Sequence, residues 1–226
     1  MQVVVLCGGR GTRAYPFTSE LPKPLLQVGG QPILRHILEL YAANGWTDFV
    51  LAAGYRADVI EGFARGLPSE WSVDVVDTGL ETGTGGRIVG CLDRVDETFF
   101  ATYGDGLGDI DLGALLAFHR SHGGGATVTA VPLPSQYGTL ALEGDLVVGF
   151  TEKPQLQDHW INAGFFVFDR EKIRAHAHDD LERGILAGLA TNRELHMYRH
   201  GGFWKSLDTY KDQQDLDRIW SEGRLP

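Results

Sequence analysis

The chain has 226 residues and a formal charge of −10, with 43 % hydrophobic and 22 % charged residues, enough for one globular domain with a sizeable core and no metal or disulfide needed to fold. That acidity argues against a nucleic-acid surface or an anionic membrane as partner, and no apolar run reaches the ~18 residues of a membrane span. Two cysteines, Cys7 and Cys91, make no disulfide framework; with no signal-peptide pattern at residues 1–6, the expectation is a reducing, cytoplasmic setting.

Residues 2–6, QVVVL, are β-branched and apolar and run straight into glycines, the pattern of a buried parallel strand. Apolar positions 33, 34, 37, 38, 40 and 41 predict a helix over 31–44, with Pro32 suited to its first turn and Gly45 to its stop. Strand patterns follow at 48–54, 72–77 and 98–105, separated by helical patterns at 57–66 and 86–95. This alternation implies an α/β fold: a Rossmann-like, mostly parallel but mixed central sheet, helices on both faces, in a single domain. After residue 110 the rhythm changes. A helix over 112–122 precedes a strand over 126–132, then strand-like runs GTLALE, LVVGFTEK and WINAGFFVFD, then helices at 180–191 and 209–220 around strands ELHMYRH and GFWKSL. No linker or repeat divides 1–226, which reads as a nucleotide-type half over 1–110 and a more mixed half over 111–226.

The informative stretch is CGGRGTRAYPFTSELPKPLLQVGG, residues 7–30, which has no convincing periodicity. Structureless segments of this length inside compact domains usually carry function. The chain has 30 glycines, about twice the usual ~7 % share. Three of them, Gly8, Gly9 and Gly11, follow the first strand, where backbone N–H groups can approach a phosphate unhindered. Arg13 and Lys23 add charge in a region whose first acid is Glu20. Lys23 has no glycine before it and Pro24 after it, so a P-loop is excluded. Gly9, Gly11 and Ala14 fit G-x-G-x-x-A, but Pro16, Pro22 and Pro24 prevent the helix that a dinucleotide fingerprint must open.

GGRGTR followed by PKP resembles the signature of the sugar nucleotidyltransferases, and the resemblance continues through VGGQPILRHILELYAANGWTDFVLAAGY, DTGLETGTGGRI, YGDG, EKP, WINAGFFVF and GFWKSLDTYKD. It implies that the phosphate of a sugar 1-phosphate attacks the α-phosphorus of a nucleoside triphosphate, releasing pyrophosphate. Within the family the pattern is most similar to members using CTP and α-D-glucose 1-phosphate; GTP, UTP or dTTP with another hexose or heptose 1-phosphate stays open. Such chemistry needs alignment and charge neutralisation rather than a general base. By resemblance Arg13 and Lys23 are the catalytic cations. The nucleotide is implied to lie on Leu6, Gly8, Gly9, Gly11, Thr12, Arg13, Lys23, Thr82, Arg87 and Gly104. Gly138, Glu152, Lys153, Asn162 and Gly164 are implied for the sugar phosphate, and Asp105 and Asp208 for Mg²⁺. Ala163 stands where the family often has glycine.

Read from the residues alone, Asp105 also suits a turn, Asp208 the N-cap of the helix from 209, Thr84 the cap of the preceding helical segment, and Glu152–Lys153 an exposed salt-linked turn. Asp109-Ile-Asp111 matches the D-x-D of metal-dependent glycosyltransferases, the alternative enzyme class, although the apolar run after Asp111 favours an N-cap. His176 and His178, two residues apart, do not share a helix face and make a poor zinc site. Only GLPSEW separates the helix over 57–66 from the strand at 72, where similar enzymes carry a longer segment linked to subunit packing, so homo-oligomer formation stays open.

Overall fold

The computed structural model describes residues 1–11 and 21–223. Its strands are β1 (Val3–Leu6), β2 (Gln27–Val28), β3 (Gln31–Pro32), β4 (Asp48–Ala53), β5 (Ser72–Asp77), β6 (Thr98–Tyr103), β7 (Gly106–Gly108), β8 (Ala126–Pro134), β9 (Thr139–Glu143), β10 (Leu146–Thr151), β11 (Gln155–Asp169), β12 (Leu195–Arg199) and β13 (Trp204–Ser206). The helices are α1 (Ile33–Ala43), α2 (Ala57–Ala64), α3 (Thr84–Gly90), α4 (Leu112–Ser121), α5 (Arg170–Ala175), α6 (Ala187–Thr191, entered through a π turn at Leu181–Leu186) and α7 (Tyr210–Ser221). No helix among the described residues is long and apolar enough to cross a membrane.

Seven strands form the central sheet in the order β12-β8-β11-β6-β1-β4-β5. All run parallel except β11, which is antiparallel to β6 and β8. Alternate residues feed two apolar layers, as period-two side chains must. Val3, Val5, Phe49, Leu51, Phe100 and Phe165 face one layer with α1, α2, α4 and α7; Val4, Val50, Phe99, Phe166 and Phe168 face the other with α3, α5 and α6. The α/β fold with a mixed sheet, helices on both faces and one domain therefore stands. The chain proceeds from β1 outward to β4 and β5, then returns to place β6 on the other side of β1. This reversal is a topological switch point, and open α/β sheets bind ligands outside the carboxyl ends of strands at that point.

Several boundaries differ from expectation. The helix expected over 86–95 starts at Thr84 and ends at Gly90, followed by a short 3₁₀ turn at Leu92–Arg94. Pro32 precedes α1 rather than opening it, paired in β3 with β2. Helix α5 has no readable apolar period, because four of the six residues of REKIRA are charged and only Ile173 is buried. The β9–β10 hairpin is a separate two-stranded sheet whose Leu140, Leu142, Leu146 and Phe150 are exposed.

At the far end of the sheet a histidine cluster ties α4 to β8, β11 and β12. Thr127 Oγ1 lies 3.0 Å from His119 Nδ1 and 2.8 Å from His122 Nε2, His119 Nε2 lies 3.2 Å from Asp169, and the His122 and His196 rings stack at 3.7 Å. Burial, then the neighbouring His196 and His119, hold the His122 imidazole below its ordinary value. The folded state therefore takes up this proton less readily than the unfolded chain. Stability is full above ~6.5 and is lost as pH falls from there toward the depressed folded value. We expect the urea midpoint to fall between pH 7.5 and pH 5.5, and the fall to shrink in His122→Gln; equal pH profiles for both proteins would remove His122 from this role.

Candidate active site

The carboxyl ends of β1 and β6 open into a cleft of about 370 Å³. Leu6, Cys7, Gly8, Gly9 and Gly11 line one side, Tyr103, Gly104 and Asp105 another, with Lys23, Pro24 and the segment containing Thr82, Gly83, Thr84 and Arg87 closing it. Most of the glycine-loop residues singled out from the sequence thus meet in one cleft at the switch point. Thr12 and Arg13 lie outside the described residues.

The charged centre is assembled by a two-stranded sheet of which the sequence indicated one strand, within GFWKSL, but not its partner β7. β7 pairs antiparallel with β13, Gly106 opposite Ser206, and Leu207 N–H donates to the Asp105 carbonyl at 2.8 Å. Asp105, just before β7, and Asp208, just after β13, therefore come to the same end of the ribbon. Both carboxylates reach the ammonium of Lys23, Oδ2 of Asp105 at 2.6 Å and Oδ1 of Asp208 at 2.9 Å. The Lys23 side chain is 9 % exposed, the two aspartates 27 % and 29 %. Ser206 Oγ donates to the other Asp208 oxygen at 2.8 Å. The N-cap of α7 is Thr209, in a capping box with Asp212, and not Asp208. The Asp208 carboxylate is turned instead to Lys23 and Ser206.

Magnesium takes one or two carboxylates plus phosphate oxygens and water. Among the described residues no group of three or more His, Cys, Asp or Glu could hold a metal ion, but Asp105 and Asp208 converge on a single cationic position. Two carboxylates, each a little over a quarter exposed, fit a phosphate-borne Mg²⁺.

Arg87, implied for the nucleotide, lines the cleft and holds a structural network of its own. Its guanidinium is buried, and its Nη1 donates to the Ala53 carbonyl (2.9 Å), Thr78 Oγ1 (2.6 Å) and the Gly79 carbonyl (2.9 Å), with Nη2 3.4 Å from the Leu80 carbonyl. It clamps the end of β4 to the loop after β5. A Cβ on Gly8 or Gly54 would lie 2.1 or 2.2 Å from Nη1, so these glycines make room for the arginine. Thr82 Oγ1 likewise donates to the Thr78 carbonyl at 2.5 Å. Gly104 is required for a similar reason: a Cβ there would meet the Leu6 carbonyl at 2.8 Å. A Cβ on Gly9 would meet nothing within 4 Å, and Gly11 has φ +60°.

The TGTGG run also proves to be a crossing point. Asp179 accepts from the backbone N–H groups of Gly83, Gly85 and Gly86 at 2.8–3.0 Å. Side chains at these three positions would come within 2.3–2.4 Å of residues 178 and 179. Thr84 does not cap α3; Gly83 occupies the N-cap position, and the Thr84 hydroxyl donates to Glu182 at 3.0 Å. Glu182 also accepts from the Tyr103 hydroxyl, which takes a hydrogen bond from Asn162 Nδ2 at 3.2 Å. Burial, then Glu182, push the Tyr103 phenol above its ordinary value, so it acts as a neutral donor. Tyr103 and Glu182 were missed from sequence. Gly164, at φ +80°, packs on the Tyr103 ring, where a Cβ would sit 2.3 Å away.

Gly138, Glu152 and Lys153 stand at the base of the β9–β10 hairpin. A Cβ on Gly138 would fall 2.3 Å from the Phe150 ring and 3.1 Å from the Glu152 carboxylate. Glu152 and Lys153 are exposed and 3.8 Å apart, so the salt-linked turn is present, in reach of solvent. The remaining motifs are committed elsewhere. Asp111 caps α4 through Ala114 N–H at 2.8 Å, and Asp109 pairs with His200 at 2.9 Å, which leaves no glycosyltransferase D-x-D. His176 lies 3.4 Å from Glu194, and His178 accepts from Asp180 N–H at 2.9 Å. Cys7 borders the cleft, but burial pushes its thiol well up, so it stays neutral.

The nucleotidyl transferase family model matches residues 2–207. The chain is 37 % identical over 252 residues to a glucose-1-phosphate cytidylyltransferase of Salmonella typhi, covering 100 % of this chain and 98 % of the relative. It is 34 % identical over 231 residues to a mannose-1-phosphate guanyltransferase of Gibberella zeae, covering 94 % and 62 %. A solved UDP-glucose pyrophosphorylase complexed with UDP-glucose superposes with a TM-score of 0.77 at 15 % identity, covering 99 % of each chain, which is a likeness of fold.

Proposed function

The chain belongs to the nucleotidyl transferase family and is a sugar-1-phosphate nucleotidyltransferase; from that premise we propose that it couples CTP to α-D-glucose 1-phosphate, giving CDP-glucose and pyrophosphate. The observation that carries the chemistry is the meeting of Lys23, Asp105 and Asp208 beside the glycine loop. The full-length likeness to a glucose-1-phosphate cytidylyltransferase supports the choice of substrates.

In the proposed reaction an oxygen of the sugar phosphate forms a bond to the α-phosphorus of CTP. The bond from that phosphorus to the α,β-bridging oxygen breaks, and pyrophosphate leaves with the electron pair. The sugar phosphate is largely dianionic at pH 7, so no side chain has to take a proton. What residues 1–110 supply is a cradle for the triphosphate at Gly8, Gly9 and Gly11, with Lys23 and Arg13 to meet its charge. Residues 111–226 supply the sugar side through Asn162, Glu152 and Lys153, with the half-buried Tyr103 of the first half fixing the Asn162 amide through its hydroxyl. Asp105 and Asp208 would hold Mg²⁺, which when bound neutralises charge on the phosphates. Neither carboxylate needs to titrate, which suits a reaction limited by alignment and electrostatics.

The test is pyrophosphate release from a matrix of CTP, UTP, GTP, dTTP and ATP against glucose 1-phosphate and mannose 1-phosphate, with Mg²⁺ or EDTA. We expect CTP with glucose 1-phosphate to give the highest kcat/KM, by ten-fold or more on the order of one or two well-made base contacts, and EDTA to abolish release. GTP with mannose 1-phosphate as the best pair would keep the reaction and overturn the substrates. Release undiminished in EDTA would overturn the metal.

A further inference from the structure

We propose that Lys23 is a place-holding cation, whose ammonium occupies the position between Asp105 and Asp208 in the nucleotide-free enzyme so that divalent metal and triphosphate must be taken up together. The proposal rests on the assignment of these two carboxylates to the metal.

Lys23 Nζ lies 2.6 Å from one carboxylate and 2.9 Å from the other, and is the least exposed member of the three. A hydrated Mg²⁺ bound by both carboxylates needs the same ground, since its oxygen ligands sit ~2.1 Å away in octahedral array. Metal and ammonium therefore exclude one another there. Lys23 opens a three-residue 3₁₀ turn between Pro22 and Pro24, and two prolines fix backbone φ on either side. The backbone is stiff, so exchange is made by the four-carbon side chain. Pro24 and Lys23 both line the cleft, so a lysine that leaves the carboxylates points into the space where the triphosphate is proposed to lie.

Metal arriving alone would have to evict the ammonium from two ion pairs with no replacement anion. Nucleotide arriving alone would find the ammonium already engaged. Arriving together they exchange partners: metal to the carboxylates, lysine to the phosphates, and no charge is left unpaired in a half-buried site. This is a coupling free energy between two ligands, reciprocal by linkage. Its selective consequence is that the free enzyme does not collect metal ions.

The experiment is Mn²⁺ binding to the full chain without nucleotide, followed by the electron paramagnetic resonance signal of free Mn²⁺. Lys23→Met should bind Mn²⁺ about ten-fold more tightly than the parent, a typical size for such coupling. Its thermal midpoint should be lower in EDTA and be raised by Mn²⁺ at a concentration that leaves the parent unmoved. Lys23→Gln, neutral but able to donate to both carboxylates, provides the same comparison where the methionine variant does not fold. Equal or weaker Mn²⁺ binding by folded Lys23→Met or Lys23→Gln overturns the place-holder. Tight binding that persists in Lys23→Met/Asp105→Asn puts the ion elsewhere and overturns the metal assignment itself, a separate failure.

Discussion

Changing Asp105 or Asp208 to asparagine should lower kcat/KM by a factor on the order of 10²–10³, the usual cost of losing one preorganised charge at a developing transition state. Asparagine keeps the shape of aspartate and an oxygen for Lys23, so the fold should survive; both side chains are more than a quarter exposed. What is lost is the negative charge. If the carboxylates act on one ion, the double variant should be little worse than the poorer single one, as for groups that work as a unit. Steady-state pyrophosphate release with circular dichroism as a folding control measures this. Wild-type rates in either folded single variant would mean that the two aspartates are not a pair. Full additivity would mean that they serve different partners.

The second large effect is on folding. Arg87→Ala should destabilise the protein by about 3–5 kcal/mol, on the order of two hydrogen bonds from a charged group at ~1.5–3 kcal/mol each. The guanidinium joins β4, Thr78 and the Gly79–Leu80 turn through four contacts, and is pressed against Gly8 and Gly54. Its removal takes this donor from the Gly79 carbonyl and leaves a void under the glycine loop, while the Ala53 carbonyl keeps the Thr78 hydroxyl and N–H as donors; an unsatisfied buried group alone costs ~1–3 kcal/mol. Gly8→Ala should destabilise through the same contact from the other side. In combination with Arg87→Ala it should cost less than the sum, because the clash then has no partner. Urea midpoints at constant m-value give the comparison. Loss of CTP affinity with unchanged stability would instead make Arg87 a ligand-reading side chain.

This second expectation shows where the sequence was legible and where it was not. Buried parallel strands announce themselves, since a strand covered on both faces reads as a mostly apolar run; Val3–Leu6 is apolar throughout and Thr98–Tyr103 is apolar at its centre. The cleft-forming loop was legible because three glycines and two cations stood without periodicity after a strand. The purpose of the glycines was not. Gly8 and Gly54 accommodate Arg87, and Gly83, Gly85 and Gly86 accommodate a segment more than ninety residues away. Close approach to a phosphate and close approach to another part of the chain look identical in sequence, since both require only the absence of Cβ.

The charged centre was legible by resemblance but not its connections. Lys23 meets partners 82 and 185 residues distant, through the pairing of β13, which lies in a predicted strand, with β7, a three-residue GLG run too short to read as one. One-residue ambiguity at the start of α7 left Asp208 as a helix cap, and the structure moves that duty to Thr209. Arg87 was implied for the nucleotide by resemblance alone, and nothing in the sequence pointed to the backbone carbonyls that its guanidinium also satisfies in this buried position.

The most direct measurement follows the oxygens. Glucose 1-phosphate carrying ¹⁸O in its three non-bridging phosphate positions would be incubated with CTP and Mg²⁺, and the products separated for mass spectrometry. Attack of the sugar phosphate on the α-phosphorus requires that all three labels appear in CDP-glucose, one of them between the two phosphorus atoms, and that pyrophosphate carry none. Label in pyrophosphate, or release of CDP in its place, would contradict the reaction assigned to this cleft.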